Sequence, residues 1–466
     1  MPRRSIRPVQ RPDRLAIAEI VPPARLAWIA GALTTAAQPA RLAVGFVVAL
    51  VLWCGGMAWD VGTGPAVDPP GILAEPWGDI EQAEAERTMR RLAAQLVPEV
   101  NFEGARMPAA QLASLLAAGA ASTDDPDQAE RYRIAARRVE RLVPMGAFEA
   151  LCAAEGEAWG VAIDGVRSVD PRAVAVGIRA ALLDVPLACV ERTPVFAAAF
   201  GAWAVLAIAV GLGAMARMEA VHASGRGMLP ARAGLEFAAR HWTALAGSWL
   251  GPVAVAAALG APCIAFGALF RFDVGGWLGA ALYVVPLALG AIGGIALVLG
   301  VLGAPTGPAA VACDGLGGLE ASQRGAIYFL SRPLLWIAVL ATSAALACLG
   351  VTVLRSVSWA LTAFPSAMVS IGSGGAAPDV AVPIVPGRWQ WPADPKVALV
   401  WWWVALVGVA TAGASMSLVA GLSARAFLVM REACDGQPAD AIWPFEVPSD
   451  VTDDAAASAD VSPSRP

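Results

Sequence analysis

The sequence predicts an all-α membrane protein: a six-span transmembrane helical bundle with a mostly helical extracytoplasmic domain inserted between spans 1 and 2. First, 57% of the 466 residues are hydrophobic and only 15% are charged, whereas soluble domains carry about a quarter charged residues. Second, six apolar runs have about the length of 20 residues that crosses a bilayer. Third, the segment 60–193 between the first two runs is acidic and has apolar residues at helical spacing.

The predicted spans contain no ionisable residue in their interiors. Because coupled transporters usually place ionisable side chains at membrane depth, this composition argues against a proton- or sodium-driven pump. A cleaved signal peptide is the alternative for the first span, but the residues that precede it are more numerous than in a usual signal. The spans are 41–59, 195–214, 244–270, 277–303, 334–354 and 397–422.

Arginine placement predicts that both termini are cytoplasmic. The basic segment 1–40 precedes the first span, and the loop between spans 2 and 3 carries four arginines against two glutamates. Positive charge marks the cytoplasmic side of membrane proteins. The apolar patch Leu26–Ile29 is interpreted as linker, with a membrane-surface segment as the alternative. The acidic residues 443–466 are predicted to form a disordered cytoplasmic tail. The expected location is the cytoplasmic (inner) membrane.

Residues 60–193 are predicted to form the extracytoplasmic domain. They contain 21 acidic residues and 13 arginines, and long domains cross the membrane largely regardless of charge. Aspartate precedes proline at Asp125 and Asp170, which is typical of a helix start. Residues 159–163 are compatible with one short strand. The predicted helices cover 79–97, 108–119, 126–143, 147–156 and 171–183.

The remainder of the chain, 194–442, is predicted to be a five-span membrane domain. Its cytoplasmic loops are expected to contain two amphipathic helices in 216–240 and one over 320–331. Prolines and small residues within the spans predict kinks and close helix packing, with a transport site as the alternative. The small residues spaced by four are Gly247/Gly251, Gly290/Gly294 and Gly413/Ser417/Gly421.

Several classes of chemistry are excluded by missing motifs. The chain contains no phosphate-binding loop, no HExxH sequence and no CxxC pair. The only histidines, His222 and His241, fall in a predicted loop, so an intramembrane protease is disfavoured. The net charge of −5 gives no case for nucleic-acid binding. We therefore expect no enzyme activity, no catalytic residues, no cofactor and no metal.

Four arginines next to span ends are the candidate site residues: Arg217, Arg324, Arg332 and Arg431. Their side chains can follow apolar surface while the guanidinium stays in a polar environment. Asp314 and Glu320 are candidate partners, together with Glu219, Glu236 and Asp435. The alternative is simple anchoring of the cytoplasmic side by positive charge.

Two further sets of residues, three tryptophans and two cysteines, each allow two interpretations. Trp401, Trp402 and Trp403 begin the last span and are predicted to form an outer aromatic belt, with a ligand or partner surface as the alternative. Cys152 and Cys189 are the cysteines of the predicted outer domain. A disulfide between them is chemically permitted outside the cytoplasm, and two buried thiols are the alternative.

The order of motifs over residues 194–442 resembles an uncharacterised family of multi-pass integral membrane proteins of planctomycete bacteria. The resemblance implies a fold and a bacterial source, and it implies no activity. Leu319-Glu320 stands where the family usually has Phe-Asp, which is a conservative difference. The motifs are Pro194-Val195-Phe196, Gly213 to Ala220, Pro230 to Arg240, Gly307 to Ala312 with Asp314, Ser322 to Tyr328, Arg332-Pro333, Ala424 to Arg431 and Asp435-Gly436.

Two functions remain compatible with these observations. The first is a structural, scaffolding or interaction protein of the cell envelope, whose protein partner binds the outer domain or the inner loops. The second is a permease-like or channel-like component that works with a partner subunit. The lipid bilayer is the partner common to both.

The predicted topology can be tested with alkaline phosphatase fusions. The enzyme needs disulfides, which form outside the cytoplasm. A fusion after Pro126 should therefore be active, and fusions after Gly225 or Pro444 should be inactive. Activity of the Gly225 fusion would overturn the topology.

Overall fold

The computed structural model of the chain describes residues 23–67, 145–372 and 395–443, with short pieces and single residues between 71 and 135. Within these residues the regular structure is helical, apart from an isolated antiparallel bridge between Val67 and Met145. The predicted all-α class is confirmed. The predicted helices 79–97 and 108–119, most of 126–143 and the tail beyond Trp443 lie outside the described residues.

The described helices are numbered in chain order. Before the loop at 224–230 they are α1 (Pro23–Thr35), α2 (Pro39–Thr63), α3 (Ala147–Arg167), α4 (Pro171–Arg179), α5 (Val185–Arg192) and α6 (Pro194–Ala223). After it they are α7 (Ala231–Arg240), α8 (Trp242–Gly267), α9 (Asp273–Ala281), α10 (Val284–Gly303), α11 (Gly307–Asp314), α12 (Gly318–Ser331), α13 (Pro333–Gly372) and α14 (Pro395–Asp435). A π-helical turn, Ala180–Asp184, joins α4 to α5, and the 3-10 turn Ala268–Arg271 follows α8.

Seven stretches of the described chain are long and apolar enough to cross a membrane. Six of them overlap the six predicted spans. The seventh, Pro171–Arg192, lies inside the predicted extracytoplasmic domain and consists of α4, the π-helical turn and α5. Length and composition alone therefore do not decide between six and seven spans.

Several predicted boundaries are wrong. The fourth predicted span, 277–303, is interrupted at Leu282–Tyr283, and α10 begins at Val284 with Pro286 in its first turn, where proline is well tolerated. Residues 159–163 are part of α3 and form no strand. Leu26–Ile29 belongs to α1, in which Ile29 is fully buried, so the linker interpretation is also wrong. Residues 216–223 continue α6, and only α7 is a separate helix in this loop.

Other local predictions are confirmed. Asp170 accepts hydrogen bonds from the backbone N–H groups of Arg172 and Ala173, and Pro171 occupies the first turn of α4. These are the contacts expected of an N-cap followed by proline. The helix predicted over 320–331 is α12, which begins after Gly317 as the sequence indicated.

The described chain divides into two compact units, residues 1–44, 209–347 and 416–466 forming the first and residues 45–208 and 348–415 the second. In the first unit, α8 packs against α10 and α12. A Cβ on Gly300 would lie 2.2 Å from the Cβ of Pro252, so the absence of a side chain on Gly300 lets α8 and α10 approach closely. Gly247 and Gly251 face α12, whereas Gly290 and Gly294 have open space beside them.

In the second unit, an apolar cluster joins the start of α3 to α2, α5, α6 and α14. Trp53, Met145, Phe148, Val185 and Phe196 are buried in it. Also within this unit, α2 and α14 make backbone contact where Gly45 meets Gly413, because a Cβ on Gly413 would lie 2.5 Å from the carbonyl carbon of Gly45. The interpretation of Gly413 as a packing residue is confirmed.

The backbone contact at Gly413 predicts that alanine substitution affects the melting temperature differently at two glycines of α14, Gly413 and Gly408. Gly413→Ala should lower the melting temperature of the detergent-solubilised protein, because a methyl group has no space and overpacking typically costs about 1–3 kcal/mol. Gly408→Ala is the matched control, since no atom lies within 4 Å of its added Cβ and alanine favours helix. Equal melting temperatures for the two variants would contradict the packing argument.

Candidate functional site

The candidate site is a set of charged residues at helix ends of the first unit, called here the arginine cluster. Its members lie near the start of α2, at the end of α6, in α11 and α12, and in the last turns of α14. The arginine cluster consists of Arg41, Arg217, Arg324, Arg425 and Arg431 with Glu219, Asp314 and Asp435.

Glu219 binds two arginines at once. One of its carboxylate oxygens accepts from Nη1 of Arg41, and the other accepts from Nε of Arg425 at 2.5 Å. The side chains of Arg41 and Glu219 are fully buried, and that of Arg425 is 8% exposed. One carboxylate thus connects the beginning of α2, the end of α6 and the end of α14.

Backbone carbonyls complete this part of the cluster. Nη2 of Arg41 donates to the carbonyl of Ser417 at 2.5 Å, and Nη1 of Arg425 donates to the carbonyl of Trp28 at 2.7 Å. The Arg425 guanidinium also lies 4.9 Å from the centroid of the Trp28 ring, which is a cation–π distance. These contacts fix α1 against α14.

Asp314, at the end of α11, forms the second centre. It accepts from Nη1 of the buried Arg431, and Arg324 lies 3.7 Å from its other oxygen. Arg324 also pairs with Asp435 at 3.2 Å, and the Tyr328 hydroxyl donates to the same carboxylate at 2.6 Å. Burial raises the pKa of Asp314, and Arg431 and Arg324 act in the opposite direction. The two arginines therefore favour the charged carboxylate in a site that partly excludes water.

Arg217 contacts the segment that follows α14. Its guanidinium donates to the carbonyl of Ala312 at 2.8 Å and to the carbonyl of Trp443 at 3.1 Å. It also lies 5.0 Å from the centroid of the Phe237 ring. Since the side chain is fully buried, these interactions replace the water that the guanidinium loses.

The arginines also hold residues 438–443. Arg431 donates to the carbonyl of Pro438 at 2.9 Å, and Arg226 donates to the carbonyl of Asp440 at 3.1 Å. The N–H of Trp443 donates to the carbonyl of Cys313 at 2.7 Å, and the Trp443 ring packs on Gly315. Gly315 has φ +67°, a conformation that favours glycine.

The structure brings together most of the predicted site residues. Arg217, Arg324, Arg431 and Asp314 all belong to the arginine cluster, as does the candidate partner Asp435. Arg332 and Glu320 do not: both are exposed, and the described residues show no ion pair for either. Arg332 ends α12, where the chain turns into α13, and Glu320 lies in the exposed first turn of α12.

The sequence analysis missed the roles of Arg41 and Arg425. A signal was present for Arg425, because it continues the four-residue spacing of Gly413, Ser417 and Gly421 on α14. The side of α14 that lacks bulky side chains is therefore the side that contacts Arg41. A Cβ added to Gly421 would lie 2.7 Å from Nη2 of Arg41. No comparable pattern surrounds Arg41.

The two other sets of candidate residues lie in the second unit. The Trp402 ring contacts Trp53 edge-on at 5.3 Å, and Trp403 is exposed, whereas the Trp401 side chain lies outside what the structure describes. Cys152 and Cys189 are free thiols in the same apolar cluster, so no disulfide joins them in this structure. Burial raises the pKa of Cys152 to about 12, which keeps the thiol protonated and unreactive.

The cluster has the chemistry of a structural site. Each of its carboxylates binds an arginine, and burial raises the pKa of the neighbouring Cys313 to about 12, so this thiol is no nucleophile. No group of three or more His, Cys, Asp or Glu side chains among the described residues is arranged to hold a metal ion. A shallow groove of about 240 Å³ beside Arg25 and Trp28 is open to the surface.

Comparison with known proteins adds no assignment. No family model matches the chain, and no curated protein or solved structure shows significant similarity to it. The resemblance to planctomycete membrane proteins therefore stays a prediction, and the function has to be argued from the residues.

The two-arginine contact of Glu219 predicts a large loss of stability on neutralisation. Glu219→Gln leaves the Arg41 and Arg425 guanidinium groups without their carboxylate, and breaking a buried ion pair in this way typically costs about 3–5 kcal/mol. The melting temperature in detergent should therefore fall well below that of the native chain. Glu320→Gln, the same change at an exposed position, is the matched control. A similar melting temperature for the two variants would exclude a central role for Glu219.

Proposed function

We propose that the chain is a six-span protein of the cytoplasmic membrane that acts as a structural or scaffolding component of the cell envelope. The observation that carries the proposal is the arginine cluster, in which buried charges bind carboxylates and carbonyls of the chain itself. Such a network makes the helix ends rigid. A rigid membrane domain that presents a large segment between its first two spans suits a scaffold.

The ion pairs support six crossings. Because Arg41 and Glu219 are in direct contact, they lie at the same depth, and the chain between them crosses the bilayer an even number of times. Helices α2 and α6 provide two crossings. A further single crossing by 171–192 would put Arg41 and Glu219 on opposite faces of the membrane.

The same argument applies to the rest of the chain. Helices α8 and α10 connect Arg217 to its hydrogen-bond acceptor Ala312, and α13 and α14 connect Arg324 to its ion-pair partner Asp435. Each pair of helices therefore returns the chain to the same side. The excess of arginine on that side favours the cytoplasm, with both termini there.

Three of the hydroxyl groups within the spans argue against coupled transport. Ser248, Thr411 and Ser415 donate to carbonyls of the preceding turn of their own helices. Hydroxyls used in this way offer little to a solute or a coupling ion, and an ion at membrane depth needs strong compensation. We propose accordingly that the protein is neither an ion-coupled pump nor an enzyme.

A permease-like component that works with a partner subunit is the second candidate. A groove of about 260 Å³ between α8, α10 and α12 favours it, lined by Pro252, Gly300, Leu319 and Ile327 among others. The groove is apolar and suits a lipid-like molecule. Such a component would have an ATPase as its partner, whereas the scaffold would have an envelope protein. Membership of the planctomycete family is part of the proposal and is compatible with either function.

The bridge between Val67 and Met145 suggests how to separate the two functions. The N–H of each residue donates to the carbonyl of the other, at 3.0 and 2.9 Å, so the intervening chain leaves and returns at one place. Replacing residues 74–144 by a short Gly/Ser linker keeps the buried Ile72 and the Gly71 carbonyl that accepts from Arg192, and it should therefore preserve the melting temperature of the membrane domain. Affinity purification from native membranes should recover an envelope partner with the full chain and lose it with the shortened chain.

The control for this experiment is Arg226→Ala, an exposed change in the loop before α7 that leaves residues 74–144 intact and should retain the partner. Recovery of an ATPase with both the full and the shortened chain would favour the permease. It would overturn the scaffold proposal.

A further inference from the structure

We propose that residues 147–192, called here the interfacial hairpin, lie in the boundary region of the outer leaflet without crossing the bilayer. The interfacial hairpin consists of α3, α4, the π-helical turn and α5. Its ligand is the lipid surface itself. The proposal rests on the six-span topology and is independent of the scaffolding function.

The hairpin is a closely packed unit. Helices α3 and α4 meet where a Cβ on Gly165 would lie 2.6 Å from the amide nitrogen of Val174, and one on Gly177 would lie 2.4 Å from that of Ala162. Two glycines thus let the backbones touch. Helix α4 is therefore held against α3 along its length.

Large apolar side chains of the hairpin are exposed in the part of the chain that the structure describes. Val169, in the turn between α3 and α4, is 86% exposed and has φ +57°, an unusual conformation for a β-branched residue. The other exposed apolar residues are Trp159, Val161, Val166, Val176, Ile178, Leu182, Leu183, Leu187 and Val190. An apolar surface of this extent on one element marks a contact with lipid or protein.

The base of the hairpin lies at the outer boundary of the bilayer. The Asp60 carboxylate accepts from the N–H groups of Phe148 and Glu149, at 2.9 and 3.0 Å, and so joins the start of α3 to α2. Asp60 is 19 positions after Arg41 on the continuous helix α2. This distance along the helix is about 28 Å at a rise of 1.5 Å per residue. The hydrocarbon core is about 30 Å thick.

The second end of the hairpin base, where α5 meets α6, lies at the same depth as the start of α3. Thr193 alone separates α5 from α6. Along α6, Arg217 and Pro194 are 23 residues apart, or about 35 Å. The end of α5 therefore also lies at a boundary of the hydrocarbon core. This boundary is on the opposite side of the membrane from Arg217.

The tip of the hairpin lies at this depth as well. Nη2 of Arg167, at the end of α3, is 3.5 Å from the hydroxyl oxygen of Thr352 on α13. Thr352 is 19 residues beyond Pro333, the first residue of α13, or about 28 Å along the helix. Because the base and the tip are at one depth, the hairpin runs along the membrane and its 22-residue second arm does not span it.

Lipid is the occupant that fits this position. The hairpin is continuous with α6 and touches α13, and both of these helices are long and apolar enough to cross a membrane. Exposed tryptophan such as Trp159 is typical of the interface. The ion pairs Asp164–Arg167 and Arg179–Asp184 give the same surface charged groups that can reach the headgroups.

The test is the depth of spin labels in the reconstituted full chain. Nitroxides are placed by Val169→Cys, Leu182→Cys and Val190→Cys in a variant whose native cysteines are replaced, and the vesicles contain phosphatidylcholine and phosphatidylglycerol. Collision with oxygen reports lipid exposure, and collision with a nickel chelate reports water exposure. Ile295→Cys within α10 is the deep reference, and Arg226→Cys is the water reference.

We expect one shallow depth for all three hairpin labels, with an oxygen-to-nickel ratio several-fold above that of the Arg226→Cys label and below that of the Ile295→Cys label. A Leu182→Cys label as deep as Ile295→Cys, with shallow labels on both sides, would show a spanning helix and overturn the proposal. Nickel access equal to Arg226→Cys at all three positions would place the hairpin in water and overturn it too.

A second measurement avoids the cysteine replacements. Benzoylphenylalanine at Leu182 in the otherwise native chain should form lipid adducts on irradiation, located by mass spectrometry near the glycerol backbone. Adducts confined to the ends of the acyl chains, or adducts with protein alone, would contradict the interfacial position. Loss of an envelope partner from the 74–144 replacement is a separate result, so failure of either proposal leaves the other interpretable.

Discussion

The contact of Glu219 with Arg41 and Arg425 is the interaction on which the arrangement of the membrane helices depends. A buried carboxylate between two buried guanidinium groups is stable only while all three side chains meet. The contact fixes the beginning of α2 and the ends of α6 and α14 at one depth. In the proposed topology it thereby limits the number of bilayer crossings between these helix ends, a number that hydrophobicity alone leaves open.

The second centre extends this constraint to the rest of the first unit. Arg431 binds both Asp314 and the carbonyl of Pro438, and Arg217 binds the carbonyls of Ala312 and Trp443. The arginines thus join helix ends to the segment that follows α14. Arg suits this role because its guanidinium presents several donors and remains charged when buried. The helix ends are thus joined to one another by buried polar contacts, and these contacts are the physical basis of the proposed scaffolding role.

The predictability of the structure differs between its elements. The apolar runs predicted the places of six long helices, although the fourth begins later than expected, and the Asp170–Pro171 pair predicted the start of α4. The linker interpretation of 26–29 was wrong because the apolar side of α1 is covered by α14, a contact that is distant in sequence. Arg332 and Glu320 were predicted as site residues because they are charged and lie beside a span. The sequence pattern is the same whether such a residue is buried or exposed.

The sequence by itself determined the helical class, the presence of helices long and apolar enough to cross a membrane and the concentration of arginine near their ends, because these follow from composition and from local periodicity. Only the tertiary structure decided which arginines are buried and that residues 147–192 form a closely packed hairpin. Pairing depends on which helix ends meet, and Arg41 and Glu219 are 178 residues apart along the chain. Periodicity within one helix carries no information about such a distance, so the ion pairs that constrain the crossings appear only once the helices are packed.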